Sequence, residues 1–247
     1  MTKPRVLVVR SGARSLRDFA DAARVELVEL VSHTIEPVDP DRGALESAAD
    51  LAIVTSQLAV AEGLGGAAGE ALRRRLGTVR LVAVGEGTAA ALRSAGFEPH
   101  RVAEGSSEAV LAALPGSLAG VRVLLPCGED ASMVLAEALA SRGAVVTRCV
   151  LYRKVARPLD PSLEADVVGR PFAAFCATSP SAARWLLESA GARGREGLRS
   201  TPAVALGPST RAFLLDEGIR RVEVAAEARY AEAMRLLEAL ADSATPK

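Results

Sequence analysis

The sequence predicts an α/β protein assembled from two similar units of parallel strands and crossover helices. Two observations carry that prediction. Short apolar runs closed by Gly, Ser or Pro alternate with Ala- and Leu-rich stretches of helical character, as expected of strands buried on both faces and joined by helices. The chain also resembles itself half a chain later. VAVGEGTAAALRSAGF from Val82 aligns with VALGPSTRAFLLDEGI from Val204, so that Gly85, Thr88, Leu92 and Gly96 meet Gly207, Thr210, Leu214 and Gly218. The pair Thr55 and Ser56 meets Thr178 and Ser179, RVL at Arg5 answers RVL at Arg122, and VAEGSSEAV from Val102 resembles VAAEARYAEAM near the C-terminus. Landmarks recurring once, in one order, describe a duplicated domain and not a solenoid array.

Taken in order, the strand candidates are Arg5 to Val9, Leu51 to Thr55, Leu81 to Val84, Val121 to Leu125, Phe172 to Ala177 and Ala203 to Leu206. Each is a short run rich in Val, Leu, Ile or Ala, and helical sequence follows nearly every one. Two arrangements of the halves are open. In a simple tandem the boundary falls in the loop PGSLAG, Pro115 to Gly120. In an exchanged arrangement the chain crosses twice between domains, near His33 to Val38 (HTIEPV) and near Val150 to Ala156 (VLYRKVA), stretches rich in β-branched residues that could lie side by side.

Composition narrows the function. At 247 residues and 49% hydrophobic the chain is long enough for two ordinary cores. Thirty basic residues balance thirty acidic ones, which argues against a general nucleic-acid or membrane-surface binder. The opening MTKPRVLVVRSGARS soon meets Arg10, Arg14 and Arg17, so neither a signal peptide nor a membrane span is expected, and the expected location is the cytoplasm. Cys127, Cys149 and Cys176 are far apart with no C-x-x-C spacing and read as reduced, buried thiols. Neither His33 nor His100 has a Cys or His neighbour at ligand spacing, so no metal is expected.

The most faithfully repeated feature is the turn from a strand into the next helix. In open parallel sheets ligands bind at the carboxyl ends of strands, where helix N-termini offer free N–H groups to an anion. Ser56, Gly85, Thr88, Ser179, Ser181, Gly207, Ser209 and Thr210 thus form two matching sets of candidate anion-binding turns. The plain alternative is that Ser and Thr cap helices and Gly permits the turn. Arg10, ending the first strand, is a candidate charge contact at the ligand-facing rim, and Glu129 and Asp130 are expected to cap the next helix. Tyr152 stands near the second crossing with Arg153, Lys154 and Arg157 behind it, either as a proton donor in a partly desolvated cleft or as an amphipathic residue packed at a domain edge. G-x-S-x-G, H-E-x-x-H, G-x-G-x-x-G and the P-loop are all missing, so covalent catalysis and a nucleotide cofactor are not expected.

In their order, VLVVRSG, IVTSQLAV from Ile53, VAVGEGTAAAL, LLPCGEDA from Leu124, VLYRKV from Val150, CATSPSAA from Cys176 and ALGPSTRAFL from Ala205 resemble the uroporphyrinogen-III synthase family over almost the whole chain. Gln57 and Ser11 depart from it, standing where the family often carries Pro. The resemblance implies two similar flavodoxin-like domains with parallel sheets, residues 1–35 with 156–247 and residues 38–150, joined by a two-stranded linker of residues 33–38 and 150–156. It implies a cofactor-free lyase that cyclises and dehydrates the linear tetrapyrrole hydroxymethylbilane, an octacarboxylate, to uroporphyrinogen III with inversion of ring D, in heme biosynthesis. It matches Tyr152 to the family's best-placed acid. Ser11, Gln57, Cys127, Gly128 and Pro180, which stand in the same strand-end segments, complete the candidate substrate-binding set. It further implies a monomer without nucleic-acid or membrane partners. The rival reading is a non-catalytic two-domain binding or regulatory protein for an anionic small molecule.

Overall fold

A computed structural model describes residues 3–12, 15–21, 24–65, 69–104, 107–226 and 230–244. In chain order its elements begin with β1 (Arg5–Ser11), β2 (Glu26–Pro37), α1 (Arg42–Glu46), β3 (Leu51–Val54), α2 (Gln57–Gly65), α3 (Gly69–Leu76), β4 (Arg80–Val84), α4 (Glu86–Ser94), β5 (Arg101–Ala103) and α5 (Ser107–Ala112). They continue with β6 (Arg122–Gly128), α6 (Val134–Ser141), β7 (Val145–Ala156), α7 (Ser162–Gly169), β8 (Ala174–Ala177), α8 (Pro180–Ser189), α9 (Gly191–Ser200), β9 (Ala203–Ala205), α10 (Pro208–Asp216), β10 (Val222–Val224) and α11 (Tyr230–Ala244). The α/β alternation expected from the sequence is present. Its six strand candidates correspond to β1, β3, β4, β6, β8 and β9, each within a few residues of the expected bounds.

The chain divides into two compact units, Met1–Ile35 with Val155–Lys247, and Glu36–Lys154. In the first, the strands follow the order β2, β1, β8, β9, β10, with β1 parallel to β2 and β8, and β9 parallel to β8 and β10. Alternate residues of β1 enter different cores, as a pleated strand buried on both faces requires. Leu7 and Val9 join Phe175, Trp185, Leu186 and Leu198, whereas Val6 and Val8 join Leu16, Cys176, Met234 and Leu237.

In the second unit the order is β7, β6, β3, β4, β5, again with parallel pairs. One face of this sheet, from Leu51, Ile53, Val82, Val123 and Leu125, packs with Val110, Leu135 and Leu139 of α5 and α6. Ala52, Leu81, Ala83 and Leu124 are buried as well, and α2 and α4 pack against β6 and β4. A Cβ at Gly63 in α2 would stand 2.6 Å from Leu151 Cδ1 and 2.7 Å from Leu72 Cδ2, so this glycine lets α2 settle closely on its neighbours.

Both units contain one irregularity at the same place. β1 and β2 run in register from Arg5 opposite Glu26 to Arg10 opposite Val31, then slip so that Ser11 faces His33. β6 and β7 run from Arg122 opposite Val145 to Cys127 opposite Val150, then slip so that Gly128 faces Tyr152. Such a bulge re-aims the side chain beyond it, here at the carboxyl end of each sheet.

Candidate functional site

In the second unit the bulge turns Tyr152 into the protein, where it is 5% exposed. Its hydroxyl lies 3.5 Å from Ser56 Oγ, which in turn accepts the Ala59 N–H at 3.0 Å at the start of α2. The Glu129 N–H donates to the Tyr152 carbonyl at 2.9 Å, fixing the backbone on the other side. Burial pushes the phenol's pKa up; Ser56 and the charge of Lys154 oppose that only in part, and Asp130 and Cys127 add to it. The hydroxyl therefore stays protonated through the neutral range, the state a proton donor needs, while the raised pKa makes it a weaker acid than a free phenol.

The ring is supported from below. A Cβ at Gly128 would stand 2.7 Å from Cε2 and Cζ of Tyr152 and 3.0 Å from its hydroxyl. Only a residue without a side chain lets the phenol occupy this place. Lys154 pairs with Asp130 at 2.9 Å, and Arg153 with Glu36 at 2.8 Å. Asp130 thus holds a lysine and does not cap a helix. The expected caps at Glu129 and Asp130 are corrected by α6, which begins at Val134 after Met133 without a side-chain cap.

Two further turns of this unit lie at strand ends. Gly85, between β4 and α4, has φ +80°, a conformation that favours glycine, and its N–H donates to Ala103 O at 2.8 Å. Gln57 opens α2 as an exposed side chain, and its amide occupies the space a Cβ at Gly87 would need, 2.2 Å from Nε2. Thr88, expected among the ligand donors, is buried at 4% exposure on α4. Cys127 is buried beside Arg148, and burial raises its thiol pKa, with Arg148 acting in the opposite direction. Cys149 is pushed up to about 11 and Cys176 to about 12, both chiefly by burial, so the three cysteines are the inert buried thiols expected.

In the first unit the corresponding carboxyl end is organised by an acid that the sequence did not single out. Glu29 on β2 accepts Arg10 Nε at 2.7 Å, Ser15 Oγ at 2.6 Å and the Leu16 N–H at 2.9 Å. Burial alone raises its pKa, but these hydrogen bonds and the Arg10 charge together hold it below the usual glutamate value. Arg10 also donates to the Gly12 carbonyl and is 7% exposed. The expectation of Arg10 as a rim charge is corrected accordingly: its guanidinium is buried on Glu29 and braces the loop after β1. Ser11 Oγ is shielded from solvent and has no partner among the described residues. His33, in the register position that Tyr152 holds in the other unit, has Nδ1 2.9 Å from Ser32 Oγ.

The remaining candidates of this unit lie at the ends of β8 and β9. Ser179 caps α8 by accepting the Ala182 N–H at 3.2 Å, its hydroxyl is 3.1 Å from that of Ser181, and Pro180 follows it at the first helical position. Gly207 is in extended conformation before Pro208, Ser209 is exposed, and Thr210 is buried at 2% exposure. Ser56 and Ser179 are therefore cap residues, and the equivalent threonines Thr88 and Thr210 are turned inward. Among the described residues no cluster of three His, Cys, Asp or Glu is suited to a metal ion. No helix among them is long and apolar enough to cross a membrane.

Against known proteins, the family model described as uroporphyrinogen-III synthase HemD matches residues 19–234. The chain belongs to the uroporphyrinogen-III synthase family. Solved members share its fold. A mutant uroporphyrinogen III synthase from the extremely thermophilic bacterium Thermus thermophilus is 24% identical with TM-score 0.71, covering 97% of this chain and 99% of its own. The wild-type enzyme of the same bacterium, in another crystal form, is 25% identical with TM-score 0.54, covering 97% and 98%. The Helicobacter pylori enzyme is 18% identical with TM-score 0.62, covering 97% and 100%. No curated protein matches the chain in sequence. Within this synthase family the chain presents one buried phenol, a serine at hydrogen-bond reach of it, and a glycine that makes room for its ring.

Proposed function

We propose that this chain cyclises hydroxymethylbilane to uroporphyrinogen III with inversion of the last pyrrole ring, acting as a dehydrating lyase, and that Tyr152 is its general acid. The family match over residues 19–234 carries the reading. The chemistry is modest in its demands. A pyrrole nitrogen supplies the electrons that expel the terminal hydroxyl, the Tyr152 proton converts that hydroxyl to water, and the proton lost from the pyrrole carbon on ring closure restores the balance. Holding the reacting carbons together in the right orientation supplies the rest. A protonated, desolvated phenol held by Ser56 suits the first step.

The octacarboxylate substrate suits the strand-end turns at Ser56, Gln57 and Gly85 and at Ser179, Pro180, Ser181, Gly207 and Ser209, with Arg10, Ser11, Cys127 and Gly128 shaping the loops around them. Thr88 and Thr210 belong to the same turns but support them from their buried side. No cofactor takes part, and the protein works as a cytoplasmic monomer.

The two units are read as duplicated flavodoxin-like domains, residues 1–35 with 156–247 and residues 38–150. The first unit's strand order supports this, being 2-1-3-4-5 in its own chain order. So do the matching bulges of the β1–β2 and β6–β7 pairs. The linker strands, 33–38 and 150–156, are supported by the Arg157 N–H donating to Ser32 O at 2.8 Å and the Val38 N–H donating to Leu151 O at 2.9 Å.

The test is a coupled assay in which hydroxymethylbilane is generated in place and the oxidised products are separated by isomer. Predominantly type III uroporphyrin is the expected result. Only type I, from spontaneous closure without inversion, would leave a non-catalytic binding protein as the reading.

A further inference from the structure

We infer that Arg148 is a substrate-binding residue, the anchor for one carboxylate of the tetrapyrrole beside Tyr152; this deepens the function proposed above and rests on it. Arg148 lies on β7 opposite Leu125, two register positions before the bulge that presents Gly128 and Tyr152. Its Nη2 reaches the carbonyls of Gly128, Glu129 and Ala131 at 3.5, 3.4 and 3.3 Å. These contacts are long and fall on one nitrogen; the guanidinium's other neighbour is the neutral Cys127 thiol, and no further oxygen meets Nε or Nη1 among the described residues.

The neighbouring cations differ in one respect. Arg153 and Lys154 are each matched by an acid, Glu36 and Asp130, and Arg10 in the first unit by Glu29. No carboxylate pairs with Arg148 among the described residues. The matching bulge of the first unit gives the comparison. Glu29 occupies the equivalent place on β2, opposite Val8 and two positions before the slip, and there too the side chain gathers the loop that follows the first strand. In the second unit the sign is reversed, and Cys127, a neutral thiol, stands where Arg10 stands in the first. The compensating charge is therefore missing on the side where the acid Tyr152 lies. A half-buried guanidinium without a counterion is electrostatically incomplete, and a carboxylate accepting two parallel N–H bonds completes it.

The experiment compares wild type with Arg148→Met, which keeps the apolar stem, and Arg148→Gln, whose amide can still donate to the loop carbonyls. Binding of uroporphyrin III is measured by fluorescence quenching, and KM and kcat for type III product are measured separately. Both variants are expected to weaken porphyrin binding and raise KM by about 10- to 100-fold, the range of one charge-assisted pair, with kcat changed less than about threefold. Wild-type affinity and KM in folded Arg148→Met overturn the inference, as does a fall in kcat alone, which marks a loop support. Should Arg148→Met fail to fold, Arg148→Gln decides by the same two readings. If wild type yields only type I product, the proposed function fails on its own, while porphyrin affinity still tests Arg148.

Discussion

Gly128 faces Tyr152 across the β6–β7 bulge so closely that a methyl group at position 128 would stand 2.7 Å from two carbons of the ring. The glycine is thus part of how the phenol is aimed. Gly128→Ala is expected to push the ring off Ser56 and to cost about 1–3 kcal/mol of stability, the range for overpacking a filled site. Because misplacement by about 1 Å can cost a hundredfold in rate, kcat is expected to fall about tenfold or more. Steady-state kinetics with a thermal melt checks both, and an alanine variant with the parent's kcat would show that the ring's position is not critical.

Removing the hydroxyl isolates its chemical part. Tyr152→Phe keeps the ring on Gly128 and deletes only the contact to Ser56. Its kcat is expected to drop about tenfold to a hundredfold, at or below the usual range for a general acid, with KM little changed. Type I product should rise in proportion as spontaneous closure competes. Undiminished turnover would sink the assignment of Tyr152 as the acid.

Glu29 gives a prediction with a definite pH sign. Its carboxyl pKa is held below the ordinary glutamate value in the folded protein, so its stabilisation is fully present above that ordinary value and is lost as pH falls through the lower, folded one. Glu29→Gln leaves Arg10 buried without its acid, which is expected to cost about 3 kcal/mol near pH 7. Denaturant unfolding of both proteins from pH 7 down to pH 3 should show the gap between them narrowing, because the parent loses its carboxylate there and the variant has none to lose. A gap of constant width would contradict the role given to Glu29.

How much of this was legible depended on the kind of signal. The central strands announced themselves as apolar runs, because a strand buried on both faces has little choice of residue. β5 and β10 did not, since three-residue edge strands such as Arg101–Ala103 and Val222–Val224 carry charges and no period. Only the C-terminal halves of β2 and β7 were read as extended. Their first halves hold Glu29 and Arg148, charges whose partners sit across the sheet end and are invisible to any local pattern. The serine turns were legible by repetition, and the structure sorted them: Ser56 and Ser179 cap helices, while Thr88 and Thr210 face inward. The residues alone left Tyr152 open between a proton donor and an amphipathic edge residue, and the family resemblance was needed to favour the acid, because the bulge that buries it is a register slip and leaves no mark in composition.

Gly87 separates stability from recognition in one substitution. A Cβ there would meet Gln57 Nε2 at 2.2 Å and Cδ at 3.1 Å, both toward the free end of an exposed and flexible side chain that can swing away. The backbone at 87 lies within α4, where alanine is favoured over glycine by about 0.5–1 kcal/mol. Gly87→Ala is therefore expected to leave the melting temperature unchanged or slightly raised. Gln57, however, opens α2 at the carboxyl end of the sheet, one residue after Ser56, and moving its amide changes what the substrate meets there. A KM increase of roughly threefold to tenfold with an unaltered kcat is expected, the size of one neutral hydrogen bond. Gln57→Ala in the Gly87→Ala background should then add little, since both changes act on one contact; fully additive losses would place Gln57 and Gly87 in separate roles.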